Sequence, residues 1–144
     1  MIRFFLVALA AFSPFFSYAY DQFQAGRAAG MYLGATDVLI RLKNSECGYV
    51  IQKPVPTMEE RKKEILSYMT PADRVEFKKL WSSHEFSMQL ADDQKLVDST
   101  IQMALSKNDK NTACGLAVGA LSPTLSTGNQ AWINFIKRNN LTPK

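Results

Sequence analysis

The chain has 144 residues, 47% of them hydrophobic and 21% charged, with a net charge of +4. That length suits one domain around one core. Lysines and acids are interspersed, Glu59-Glu60 before Arg61-Lys62-Lys63 and Asp92-Asp93 before Lys95. The pattern reads as a solvated mixed surface and argues against a nucleic-acid binder, which gathers its cations on one face. A modest positive charge still favours an acidic partner or an anionic envelope surface.

Met1 to Ala19 has the form of a cleavable export signal: Arg3, then the apolar run Phe4 to Phe12, a Ser13-Pro14 break and the small-residue site Ser17-Tyr18-Ala19. The run is too short to cross a bilayer, and no later stretch approaches the roughly 20 apolar residues of a span. The mature domain is expected to begin at Tyr20, with a charge of about +3 once Arg3 is lost. Tyr20 is not a cysteine, so no lipid anchor is indicated. The expected location is the periplasm or the exterior.

Cys47 and Cys114 are the only cysteines. In an oxidising compartment two cysteines usually pair. The loop closed would span roughly 67 residues, for which chain entropy predicts about 4 kcal/mol of stabilisation. The alternatives are free thiols or metal ligands. One histidine and the absence of CxxC or HxxxH spacing count against a metal site.

From Asp21 to the C-terminus the pattern is helical. The first helix is predicted from about Asp21 to Asn44, with Ala28, Met31, Ala35, Val38, Leu39 and Leu42 on one face. Gly26, Gly30 and Gly34 recur every four residues on it. Each interior glycine costs roughly 1 kcal/mol against alanine, so the stripe points to close approach. The filler is expected to be another helix of the same domain, with a partner surface or homodimer seam as the alternative. Tyr49 to Pro56 reads as an ordered extended connection.

Thr57-Met58-Glu59-Glu60 is a capping box opening a second helix to about Met69. Thr70-Pro71 restarts the chain. The third helix carries Val75, Phe77, Leu80, Trp81, His84 and Met88, with Ser82-Ser83 as a point of interruption. A fourth is expected from Asp92-Asp93, on the stripe Leu96, Val97, Ile101, Ala104 and Leu105. Thr112 is expected to cap a fifth holding Cys114, Leu116, Ala117, Ala120 and Leu121, stopped by Ser122-Pro123. A last helix is expected over Thr127 to Asn139, with Ala131, Trp132, Phe135 and Ile136 inward. The fold class is therefore all-α, a single-domain bundle of five to six helices with one Cys47–Cys114 disulfide.

Little in the sequence points to catalysis. His84 is the only histidine, and its face shared with Leu80, Trp81 and Met88 reads as structural and partly buried. No G-x-S-x-G, H-E-x-x-H or C-x-x-C-H is present. The acid pairs sit where helix starts would use them, which explains them without glycoside chemistry. The methionines are spread as core filler, and no cofactor is expected. Tyr49 and Phe86 fall off the main stripes and are candidate exposed anchors of a binding surface. These features describe an exported helical protein that acts by binding a protein. An immunity or inhibitor protein against an envelope-targeting toxin has these class properties. The other readings are a secretion-system pilot or assembly factor, a ligand-binding bundle whose glycine groove lines an apolar pocket, and an unrecognised hydrolase.

Overall fold

A computed structural model describes residues 20–144. The expected signal, Met1 to Ala19, lies outside the described residues. The chain forms α1 (Gln22–Asn44), a 3-10 turn (Gly48–Val50), α2 (Met58–Tyr68), α3 (Pro71–Trp81), α4 (His84–Leu105) and α5 (Lys110–Arg138). The fold is all-helical, with no strand among the described residues.

Helix α1 is the central mast. Asp21 caps it by accepting from the Phe23 and Gln24 amides, and Arg41 and Lys43 suit its negative end. It packs most extensively on α5, then on α4 and α2. Buried residues therefore appear on more than one of its sides: Ala25, Ala29, Leu33, Val38 and Leu42 are joined by Thr36 and Asp37. Its N-terminal half enters one apolar cluster with Ile65, Met69, Phe77, Phe86, Trp132 and Phe135. Its C-terminal half enters a second, with Val97, Ile101, Ala117, Leu121 and both cysteines. Cys47 and Cys114 are bonded in that second cluster, 67 positions apart in sequence.

A close approach of two helices falls at a glycine outside the expected stripe. A Cβ on Gly128 of α5 would overlap the Met31 carbonyl oxygen and lie 2.5 Å from Ala35 Cβ. Gly128 therefore sets how near α5 comes to α1. Around it stack Tyr32, Trp132 and Phe135, with centroid separations of 5.9 and 5.6 Å.

Several boundaries match their local chemistry. The Thr57–Glu60 capping box is complete, and Thr70 caps α3 with Pro71 at its first position. Three differ from expectation. Ser83 accepts from the Phe86 amide and starts α4 at His84, so Asp92 and Asp93 lie inside that helix and not at its head. Asp109, not Thr112, caps α5, and the Thr112 hydroxyl donates back to Asp109 Oδ2 at 2.7 Å. Pro123 does not stop α5, which runs unbroken to Arg138. Proline in a helix interior leaves the fourth preceding carbonyl, here Gly119, without its donor. Gly119 and Pro123 are exposed, so water can serve that oxygen. Leu121 on one side and Gly128, Trp132 and Phe135 on the other hold both halves against α1.

Tyr20, the first described residue, is buried. Its hydroxyl donates to Asp73 Oδ2 and lies 3.2 Å from Met69 Sδ. Asp73 also accepts from Gln22 Nε2 and Thr70 Oγ1, both at 2.7 Å, so this buried carboxylate is well partnered. Burial, with the neighbouring Asp73 carboxylate, pushes the Tyr20 phenol up to about 12.

Candidate binding surface

The glycine stripe divides into two regions. Gly34 is buried, and a Cβ there would meet Gln89 Nε2 at 3.0 Å and Asp93 Oδ2 at 3.5 Å, both from α4. At Gly26 and Gly30 nothing lies within 4 Å of the Cβ position. A neighbouring helix thus covers one end of the stripe and leaves the other open. The open part floors a hollow of about 350 Å³ walled by Leu80, Trp81, Glu85 and Gln89. Gln89 Nε2 donates to the Gly30 carbonyl at 3.3 Å, fixing that wall to the floor.

A second hollow lies on the other side of α1, against α5. Arg27 and Met31 border the first, and they also border this second cleft of about 460 Å³ between α1 and α5, headed by Phe23. Phe23 is 78% exposed, the largest value among the large apolar side chains described. The solvent side of α1 is therefore a trough. It consists of two hollows that share Arg27 and Met31: the one against α3 and α4 has the bare glycine floor, and the one against α5 has Phe23 at its head.

An acid–base cluster lies where the stripe becomes covered. Asp37 Oδ2 accepts from Arg41 Nε at 2.6 Å, and Arg41 Nη2 donates to the Leu90 carbonyl at 3.2 Å. Asp93 Oδ2 is enclosed without a hydrogen-bond partner. Burial, then repulsion from Asp37 and Asp92, push the Asp93 carboxyl up to about 6 against the opposing pull of Arg41.

The structure separates the two candidate anchors. Phe86 is buried in the first apolar cluster, so it is a core residue and not an exposed anchor. The helix start at Ser83 explains the correction, because it turns Phe86 inward toward α1. Tyr49 is half-exposed. Its hydroxyl donates to Asn111 Oδ1 at 2.8 Å, and Lys110 Nζ stands 5.9 Å from its ring centre, so it braces the start of α5 beside the disulfide. His84 is exposed at the head of α4 and not partly buried. Val75, Leu80, Met88, Leu96 and Leu116, expected on inward stripes, are also exposed. Helices α3 and α4 bury narrow faces, so the apolar periodicity of the sequence exceeds the contact available.

Among the described residues, no three His, Cys, Asp or Glu side chains are grouped so as to hold a metal ion. No helix among them is long and apolar enough to cross a membrane. Phe23, Arg27 and the Leu80–Trp81 wall are the trough residues that the sequence reading did not single out as a surface. The signal for Phe23 was its place beside the Asp21 cap, off the apolar stripe. Comparison with family models, with curated proteins and with solved structures finds no match to this chain.

Proposed function

We propose that this chain is an exported immunity or inhibitor protein, acting by tight binding to one protein partner, a toxin directed at the cell envelope. The supporting observation is the trough on α1, where Gly26 and Gly30 leave a floor without side chains beside exposed Leu80, and exposed Phe23 heads the adjoining hollow. Large apolar side chains around a concave, bare-backbone floor offer the anchor and the close approach that protein recognition uses. The buried disulfide supports the reading of an oxidising compartment. The partner's class is inferred from the combination of size, export signal and single disulfide.

The test is a contact-dependent competition in the native host. A strain lacking the gene is expected to be killed beside its parent. The full chain should restore survival, and a chain lacking residues 1–19 should not. Gly30→Leu, whose Cβ would have nothing within 4 Å and whose side chain would fill the hollow, should keep the parent's helical content and restore survival poorly. A deletion strain that competes as well as its parent would refute the toxin reading.

A further inference from the structure

The charge that looks evenly mixed in sequence is sorted in space. Between α2 and α3 lies a cleft of about 590 Å³ lined by Lys62, Lys63, Arg74, Lys78 and Lys144. All but one of the acids interleaved with these cations are engaged away from the cleft. Glu60 is held by the Thr57 cap, with its carboxylate pulled below the usual range by those hydrogen bonds. Glu64 accepts from Arg61 and from the Tyr32 hydroxyl. Asp73 is buried with Tyr20, and Glu76 pairs with Lys79. Glu59, on the cleft lining, is paired with Lys62.

Among the described residues Lys63, Arg74, Lys78 and Lys144 form no ion pair. Two of the four are tethered. Arg74 Nε donates to the Met69 carbonyl at 3.2 Å, and the Lys144 amide donates to the Ser67 carbonyl at 2.7 Å. Leu66 and Trp81 supply apolar wall, and Trp81 also borders the α1 trough.

From this sorting we propose that the α2–α3 cleft is a docking site for an acidic segment of a protein partner, its carboxylates on Lys63, Arg74 and Lys78 and an apolar side chain against Trp81. The inference rests on the reading of the chain as a protein-binding protein. It names the chemistry of the surface that the partner presents. A concave site with cations on three chain segments suits a string of carboxylates, whereas a flat bilayer meets convex basic faces. Unpaired cations around a hollow steer an acidic partner inward and set its orientation.

The experiment uses the protein purified from the envelope after expression of the full chain, labelled with ¹⁵N and titrated with a hexaglutamate peptide carrying one leucine. The Trp81 indole resonance should shift on addition. Binding should weaken at least tenfold in Lys63→Glu/Lys78→Glu, and to a lesser degree in Lys63→Gln/Lys78→Gln. It should change little in the control Lys107→Glu/Lys137→Glu, which alters net charge equally outside the cleft. Rising salt should weaken it further. Equal loss in the control would overturn the proposal, because net charge alone would then account for binding. So would inorganic phosphate or phosphatidylglycerol vesicles shifting the cleft resonances when the peptide does not. In the competition assay Lys63→Glu/Lys78→Glu should lose protection, and full protection by that variant would also overturn the site. If the deletion strain proves neutral, the toxin reading fails alone, and the peptide titration still decides the cleft.

Discussion

Single residues on α1 and α5 give opposed expectations for the same chemical change. Gly30→Ala adds a methyl into open space and removes a helix-interior glycine, so it should raise stability by up to about 1 kcal/mol. Gly128→Ala forces a methyl into the Met31 backbone and Ala35, and should lower stability by about 1–3 kcal/mol through overpacking. Denaturant midpoints of the two variants check the pair, and equal signs would contradict the packing described. Asp93 gives a pH signature. Its folded carboxyl is raised from 3.8 to about 6, so the folded state holds the proton more tightly than the unfolded chain does. Its favourable contribution is present below about pH 4 and is lost as pH rises to about 6. Asp93→Asn should therefore stabilise by about 1 kcal/mol at pH 7.5, after allowance for partial solvent screening, and by nothing measurable near pH 4.

At the scale of elements, helix starts were legible where one cap signal stands alone. Thr57 with Glu60, and Thr70 with Pro71, are written within four residues of each other and form as read. The starts at Ser83 and Asp109 are capped just as locally, but equally good signals stand nearby, Asp92-Asp93 and Thr112, so the sequence alone did not choose between them. Pro123 was misleading for a different reason. Its local cost, about 3 kcal/mol, is outweighed by burial of both flanks of α5. Pro123→Ala is accordingly expected to stabilise by about 1–3 kcal/mol, read as a higher melting temperature with unchanged helical content. A lower melting temperature would mean that the proline is needed for the path of α5 over α1.

Across the whole molecule, the helical class and the disulfide were readable because each follows from residue type and spacing. The binding surface was not. Whether Phe86 or Phe23 faces solvent depends on which helices flank α1, and whether Lys63 and Lys78 share a cleft depends on the α2–α3 turn. Interspersed charge in one dimension concealed segregation in three, because caps and short-range pairs engage the acids first. The disulfide sets the largest single expectation. Replacing both Cys47 and Cys114 by alanine should cost about 4 kcal/mol, measured by urea unfolding, because the loop it closes is long. A loss under 1 kcal/mol would indicate that the two apolar clusters hold the fold without it.

That same bond has a bearing on wear. Helices α2, α3 and α4 lie between the bonded cysteines, while α1 lies before that interval and α5 lies beyond it except for its first turn. One protease nick anywhere from Gly48 to Ala113 therefore yields two pieces that stay joined, with the mast and its longest neighbour still linked. Such a molecule tolerates a cut in its outer helices without coming apart, and would run as a single band until a reductant is added.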